Sequence, residues 1–251
     1  MSMLDGVDVA VAGWQVDSVA ATGSTNADLA VRARAGAASY SALVAGEQTA
    51  GRGRMTRSWS SPPGTSISLS VLVRPQRPVE EWGLLPLLSG LGVARAIGSL
   101  GVDAVLKWPN DVLLPADGER KVCGILAEVV ATPTPGVVVG MGVNVGQERG
   151  DFPVETATSL RLVGLEVSRP VVVRAVLEQL ATVYREWDGH GWAGVKGAYE
   201  AVCVTLGRQV RVELPDGSNV TGIASAVLDD GRIVVGGKAF AAGDVHHLRA
   251  I

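Results

Sequence analysis

The side chains with the clearest chemical use are gathered between Gly46 and Gly64, in the stretch GEQTAGRGRMTRSWSSPPG. Its arginines are permanent cations whose forked donors suit carboxylate and phosphate groups. Its glycines allow the backbone to approach a ligand closely. The composition predicts an anion-binding lid containing neither strand nor helix, although such loops are more commonly plain solvated surface. The three arginines are Arg52, Arg54 and Arg57.

The spacing of Gly46 and Gly51 matches the first half of a P-loop. Arg52 and Gly53 then stand where that motif requires a phosphate-binding lysine and a magnesium-binding hydroxyl. The stretch therefore argues against a Walker-type nucleotide hydrolase.

The lid is expected to be loose until a ligand binds, because it has many glycines and no hydrophobic periodicity. Arg52 and Arg54 lie two residues apart, so in an extended chain both should project to the same side, toward the ligand. Trp59 is suited to cover that ligand, or it is a core side chain flanking the loop.

The composition of the chain indicates a globular protein. The chain has 251 residues, a net charge of −3 and 47% hydrophobic residues, which suits one large globular domain with a small second one. The acidic balance argues against a dedicated nucleic-acid-binding protein. Cys123 and Cys203 are far apart, and the N-terminus has no secretory signal, so a reducing, cytoplasmic location is expected. The apolar window at 82–100 is interrupted by Pro86 and Arg95, which predicts a buried helix and not a membrane span.

The elements that must position these side chains follow from periodicity and turn signals. A short helix is predicted after Ser24, and Gly36 ends it. Ser24 or Thr25 is a good N-cap, and capping could be the only role of these hydroxyls. Strands recur without regular helical crossovers, which favours an α+β fold with a mixed or antiparallel sheet. Strands are predicted at 42–47, 67–73 (half-buried), 103–108, 121–130 and 136–145, and longer helices at 80–100, 169–187 and 192–204. After residue 205, turn signals at 215–218 and 229–231 predict a small β domain.

Four motifs together resemble those of the biotin protein ligases. They are the glycine/arginine lid, KWPND at 107–111, KVCGILAE at 121–128 and GMGVNV at 140–145, in the family's order. The resemblance implies a catalytic domain at 1–204, similar to class II aminoacyl-tRNA synthetases, with helices on one side of its sheet. It also implies an SH3-like β-barrel at 205–251.

The resemblance implies an ATP-dependent ligase that works in two steps. Biotin's carboxylate attacks the α-phosphate of ATP to give biotinyl-5′-AMP, and the biotinyl group then passes to a lysine of a biotin carboxyl carrier domain. The first step brings two anions to about 3 Å, which costs roughly 5 kcal/mol at an effective dielectric near 20. Fixed cations must offset this repulsion, and the mixed anhydride must be shielded from water. The candidate catalytic cations are Arg52, Arg54, Lys107 and Lys121.

The family's binding residues carry over to matching positions. Lys121 is expected to touch both biotin and the phosphate, unless it is a surface lysine after a loop. Asn110 and Asn144 could read adenine or could form turns. Asp111 could hold Mg²⁺, which arrives with ATP, or could orient a lysine. The expected biotin-binding residues are Ser24, Thr25, Asn26, Gln48, Gly51, Arg52, Arg54, Lys121, Gly124, Leu126 and Gly140. The expected nucleotide-binding residues are Arg54, Arg57, Trp59, Lys107, Asn110, Asp111, Lys121 and Asn144.

The partners expected from this resemblance are biotin, ATP with Mg²⁺, and the carrier domain of a biotin-dependent carboxylase. Only about 20 residues precede Ser24, without a helix-turn-helix pattern, so a short form with no DNA-binding domain and no nucleic-acid partner is expected. No membrane partner is expected, and the chain should be a monomer or a weak homodimer.

The histidines lie outside every motif, which favours catalysis by positioning and charge over a Ser-His-Asp mechanism. They are His190, His246 and His247. Two rival functions stay open: a lipoate ligase or octanoyltransferase, and a biotin-binding module without transfer activity.

Overall fold

The computed structural model describes residues 11, 13–54, 57–59, 62–214, 216–241 and 243–248. The first ten residues and four positions of the predicted lid, Met55, Thr56, Ser60 and Ser61, therefore lie outside the described residues.

A seven-stranded mixed sheet forms the larger part of the molecule. Its strand order is β1-β2-β5-β9-β8-β7-β6, with β1 and β2 parallel and every other neighbouring pair antiparallel. Its strands are β1 (Gln15–Thr22), β2 (Ser41–Gln48), β5 (Ser66–Val73), β6 (Val105–Lys107), β7 (Asp111–Leu114), β8 (Arg120–Val130) and β9 (Gly136–Asn144). Two further short strands, β3 (Gly51–Arg52) and β4 (Ser58–Trp59), pair only with each other. This mixed sheet confirms the predicted fold class.

The lid is not the strandless loop that its composition predicts. β3 and β4 pair antiparallel as a short ladder, with Gly51 opposite Trp59 and Arg52 opposite Ser58. The ladder is possible because Gly51 leaves room for its neighbours: a methyl group there would lie 2.4 Å from both Gln48 Nε2 and the carbonyl oxygen of Trp59.

Three α-helices cover both faces of the sheet. They are α1 (Thr25–Arg34), α2 (Leu85–Ser99), which follows a 3₁₀ turn at Val79–Leu84, and α3 (Arg169–Val202), which is kinked at Gly191. The kink falls within the predicted break at 188–191, where Gly191 has a φ of 66°.

The expectation of helices on one side is wrong for α1. α2 and α3 pack together over one face of the sheet, whereas α1 lies on the other. Strands β2, β5, β8 and β9 carry apolar residues on both faces, so each face needs a cover. The smaller cluster under α1 comprises Leu29, Ala33, Leu43, Leu72, Val130 and Val138. Because α1 also lies over the serine face of β5, all eight residues of that strand are buried, not half of them.

The C-terminal part is a small antiparallel sheet, consistent with an SH3-like domain. Its order is β13-β12-β11-β10-β14, from β10 (Gln209–Glu213), β11 (Asn219–Val227), β12 (Ile233–Val235), β13 (Lys238–Phe240) and β14 (Asp244–His247). The predicted domain division after 204 falls just before β10. Trp108 Nε1 donates to the Gly231 carbonyl at 2.9 Å, and Arg208 pairs with Glu119 through two contacts of 2.6 Å. These contacts hold the small sheet against the larger one. None of the described helices is long and apolar enough to cross a membrane.

Candidate active site

A cavity of about 700 Å³ lies between the two sheets and gathers most of the predicted site residues. Gly51 is the exception, since it lies behind Trp59 and Gln48. The predicted residues that line the cavity are Ser24, Thr25, Asn26, Gln48, Arg52, Arg54, Arg57, Trp59, Lys107, Asn110, Asp111, Lys121, Gly124, Leu126, Gly140 and Asn144.

One end of the cavity is lined by neutral polar side chains that are backed by the buried Ser70, and we call this set the polar floor: Ser24, Thr25, Asn26, Gln48 and Ser70. Ser24 caps α1 by accepting from the Ala27 N–H at 3.4 Å. Thr25 donates to Gln48 Oε1 from its backbone N–H at 2.9 Å and from its hydroxyl at 3.1 Å. The start of α1 is thus tied to β2 as well as capped.

Asn26 completes the floor and is bonded to strands β5 and β8 of the sheet. Its Nδ2 donates to the Leu126 carbonyl at 3.2 Å and to Glu128 at 2.8 Å. The buried hydroxyl of Ser70 lies 2.6 Å from Asn26 Oδ1 and 2.7 Å from Thr25 Oγ1. Such mutual satisfaction is what buried polar groups require, and it holds the floor in one arrangement.

Glycines on adjacent strands make the sheet surface concave at this point. A methyl group at Gly140 would lie 2.3 Å from Asn26 Oδ1, and one at Gly142 would lie 2.3 Å from Trp59 Cε2. A methyl group at Gly124, which lies opposite Gly142 in the register, would lie 2.9 Å from the Lys121 side chain and 3.0 Å from the Trp59 ring. Glycine is needed here because the protein's own side chains approach the backbone closely.

Trp59 therefore lies inside the cavity, on the sheet, and is not a core residue beside the lid. Lys121 Nζ is 5.7 Å from the centre of its ring. Its indole Nε1 is buried and has no hydrogen-bond partner among the residues that the structure describes.

The other end of the cavity carries the positive charge, and we call it the cationic end: Arg54, Arg57, Lys107 and Lys121. Lys121 pairs with Asp111 at 2.6 Å, and Arg57 pairs with Asp244. Arg54 donates to Asn110 Oδ1 and to the Gly243 carbonyl, both at 3.4 Å.

Burial perturbs two of these cations. It lowers the pKa of Lys107, an effect that Asp111 opposes and that Lys121 and Arg57 reinforce. It also lowers the pKa of Arg54, again opposed by Asp111 and reinforced by Arg57. Both groups are therefore poised to gain from a negatively charged ligand.

The expectation that Arg52 and Arg54 project to the same side is wrong. Arg52 reaches Glu128 at 3.1 Å, beside the polar floor, whereas Arg54 reaches Asn110 and the C-terminal sheet. The chain turns between them, where the Gly53 N–H donates to the Arg57 carbonyl at 2.6 Å. The two arginines thus line opposite ends of one cavity.

The two asparagines are engaged with the protein's own backbone. Asn144 donates to the Thr158 carbonyl at 2.9 Å and accepts from Gln147 at 2.9 Å. Asn110 donates to the Ile125 carbonyl at 2.7 Å. These contacts fit the turn-forming alternative, and adenine recognition stays a prediction.

The C-terminal sheet contributes side chains that no motif marks. Arg208, Asp244, His246 and His247 line the cavity, although they are far from the motifs in sequence. Arg208 donates to His247 Nδ1 at 3.3 Å, so Nε2 carries the proton toward Thr205 Oγ1 at 3.1 Å. The pKa of His247 is lowered to about 4, mainly by burial. The positive charges of Lys107 and Arg208 add to this shift, whereas the negative charge of Glu119 opposes it. Sequence reasoning missed this neutral histidine because only folding places it here.

The two roles considered for Asp111 are not equally supported. Its carboxylate is engaged by Lys121, which fits the lysine-orienting role. The described residues hold no cluster of three or more His, Cys, Asp or Glu side chains that could hold a metal ion.

Comparison with known proteins agrees with this geometry. Residues 22–144 match the biotin/lipoate A/B protein ligase family. The biotin--[acetyl-CoA-carboxylase] ligase of Mycobacterium tuberculosis is 40% identical over 99% of this chain and 95% of its own length. The bifunctional ligase/repressor BirA of Bacillus subtilis is 34% identical, and the match covers 77% of this chain and 60% of that protein. The biotin protein ligase of Aquifex aeolicus, solved in complex with biotin and ATP, superposes with a TM-score of 0.78 at 27% identity, covering 94% of this chain and 99% of that one.

Proposed function

The chain belongs to the biotin/lipoate A/B protein ligase family, and on that premise we propose that it is a biotin protein ligase. It activates biotin with ATP to biotinyl-5′-AMP and transfers the biotinyl group to a lysine of a carboxylase's carrier domain. The M. tuberculosis relative carries acetyl-CoA carboxylase in its name, which makes the carrier domain of that enzyme the first acceptor to test.

The observation that carries the proposal is the division of one cavity into a neutral end and a cationic end. The polar floor, with Gly140 above it, suits the uncharged ureido ring of biotin, which has N–H donors and a carbonyl acceptor. Arg54, Lys107 and Lys121 suit the phosphates of ATP. Biotin's carboxylate then faces the α-phosphate where the two ends meet, beside Lys121.

Lys121 supplies the charge that the first step needs. Repulsion between the carboxylate and the phosphate is offset by its ammonium group, which Asp111 holds at 2.6 Å. A cation fixed before the reaction stabilises the transition state without reorganising.

Trp59 has to leave its place on Gly124 and Gly142 when ligands enter, because its ring fills the space above both glycines. Since its indole N–H is buried without a described partner, leaving that place breaks no hydrogen bond that the structure records. The ring can then cover the adenylate and keep water from the anhydride.

ATP enters as its magnesium complex, which binds mainly through the phosphates. Asp111 is the described carboxylate nearest the lysine that meets those phosphates, and it can serve the hydrated ion in addition to Lys121. Both cysteines are free and buried, which fits the reducing conditions of the cytoplasm.

The experiment is to incubate the purified chain with ATP, Mg²⁺, biotin and a carboxylase carrier domain, to probe the carrier with streptavidin for biotin, and to measure its mass for any other acyl group. Lipoate and octanoate replace biotin in parallel reactions. We expect biotin-dependent labelling of the carrier lysine. Transfer of lipoate in place of biotin would select the lipoate ligase alternative. Binding of biotin with neither adenylate nor labelled carrier would select the non-catalytic module.

A further inference from the structure

Glu128 is the last residue of the KVCGILAE motif. It lies on β8, two residues beyond Leu126, on the face that α1 covers. Its carboxylate accepts from Asn26 Nδ2 at 2.8 Å and pairs with Arg52 at 3.1 Å. One carboxylate thus joins the polar floor to the lid.

The contacts around Asn26 decide which end of its amide faces the ligand. Two acceptors, the Leu126 carbonyl and Glu128, lie on one side, so that side must be the NH₂ group. The other side is therefore Oδ1, which accepts from the Ser70 hydroxyl at 2.6 Å. Oδ1 is also the atom closest to Gly140, which lines the cavity.

Asn26 therefore presents an acceptor to the cavity and keeps its donors behind. An amide oxygen can accept two hydrogen bonds, and Ser70 supplies one. The second acceptor position suits an N–H of the ureido ring. An inverted amide would offer NH₂ to that N–H, which is two donors facing each other.

We propose that Glu128 is a positioning residue for biotin: it holds the Asn26 amide with its oxygen toward the cavity and anchors Arg52 beside it. The inference rests on the proposed function. The negative charge is the essential part, because it binds an amide NH₂ and a guanidinium at the same time and accepts from both.

The test is the substitution Glu128→Gln, which keeps the shape and removes the charge. Titration calorimetry measures the dissociation constants for biotin and for ATP separately. We expect biotin to bind about tenfold more weakly, as for loss of one charged hydrogen bond, and ATP to bind within about twofold of the parent. Equal biotin affinity in the variant and the parent would overturn the inference.

Glu81→Gln is the matched control. Glu81 is also a partly buried carboxylate paired with an arginine, Arg77, at 2.8 Å, but it lies outside the cavity. Biotin affinity should be unchanged in this variant. If Glu128→Gln weakens biotin and ATP alike, or no more than Glu81→Gln does, the effect is structural and the inference fails. If the parent protein itself does not bind biotin, the proposed function fails instead.

A second variant pair tests the amide directly. Asn26→Asp places two carboxylates in contact and should weaken biotin about a hundredfold, since an unpaired buried charge is costly. Adding Glu128→Gln places the amide at position 128 and the carboxylate at position 26. The amide can then donate to the carboxylate, as in the parent but with donor and acceptor exchanged. The double variant should recover at least about tenfold of that loss. A double variant that binds no tighter than the single variant would contradict the role given to Glu128.

Discussion

The two ends of the cavity are built on different principles. In the polar floor, neutral groups on α1, β2 and β5 bond to one another and to Leu126 and Glu128 of β8 at 2.6 to 3.2 Å. At the cationic end, Arg54 makes contacts of 3.4 Å from the lid, to Asn110 and to the C-terminal sheet. Lys121 pairs tightly, but with a carboxylate that a phosphate can replace.

The difference follows from the ligands that each end has to hold. A neutral ring gains little from long-range charge, so its site has to be formed in advance from short hydrogen bonds. A polyphosphate attracts cations from a distance, and its arrival replaces the internal partners of those cations. The floor can therefore be rigid, whereas at the cationic end Asp111 fixes Lys121 in advance and the longer contacts of Arg54 are replaced when the substrate binds.

The largest effect is expected from Lys121→Ala at the cationic end. Adenylation should fall by two or more orders of magnitude, as for removal of one transition-state electrostatic contact. Pyrophosphate release measures this rate, and calorimetric biotin binding should change much less. Lys196→Ala is the control, because Lys196 makes only a surface contact with Asp229 at 3.9 Å. Activity within a few fold of the parent in Lys121→Ala would show that the lysine's role is misassigned.

A smaller effect that separates the two lid arginines is expected from Arg54→Gly and Arg52→Gly. Arg54→Gly should speed the escape of biotinyl-AMP by about tenfold, through loss of a charged contact, while weakening biotin only modestly. Arg52→Gly should instead weaken the binding of biotin, because Arg52 pairs with Glu128 beside the polar floor. The escaped adenylate is measured by biotinylation of a bystander protein. If both variants change escape and affinity equally, the two-ended cavity is wrong.

The sequence predicted the floor and the cationic end unequally well. Ser24, Thr25, Asn26 and Gln48 were expected to bind biotin, and all four line the cavity. Glu128 and Ser70 were given no role, because a residue that acts by orienting another carries no chemical motif of its own. Ser70 looks like an ordinary polar position of an alternating strand until α1 covers it.

At the cationic end the missed residues come from another part of the chain. His247 and Asp244 meet Lys107 and Arg57 only because the small sheet packs against the larger one. Strands β8 and β9 were predicted to within one residue, since their apolar runs are long. β1 was not predicted, because its half-exposed edge position leaves a weak pattern. Spacing within a motif is readable from sequence, whereas contacts between distant segments are not.

A third, stability-level prediction tests how far the floor is preformed. Ser70→Ala removes a buried hydroxyl shared by Thr25 and Asn26 and should lower the free energy of unfolding by about 1 to 3 kcal/mol. Ser89→Ala is the matched control: Ser89 is equally buried and contacts Tyr184 at 2.6 Å, far from the cavity. Urea denaturation should give similar losses for both variants, and only Ser70→Ala should weaken biotin. Equal biotin affinity in the two variants would mean that the floor does not depend on its internal hydrogen bonds.

The smallest effect concerns the pH dependence of the cationic end. His247 has a pKa of about 4 in the folded protein, because burial and the cations Lys107 and Arg208 disfavour its charged form. The unfolded chain has the ordinary histidine pKa near 6.5. Between these two values the unfolded state takes up a proton that the folded state does not, so stability falls as the pH falls through this range.

His247→Gln removes this titration while keeping a polar side chain. Melting temperatures measured from pH 7.5 to 4.5 should therefore drop more steeply for the parent than for the variant. The difference should be only a few degrees, because the ring is half-buried and screened by solvent. Burial lowers the pKa of His246 as well, but that residue is present in both proteins and cancels in the comparison. A difference in melting temperature that stays constant across the range would mean that burial and the neighbouring cations do not disfavour the charged form of His247.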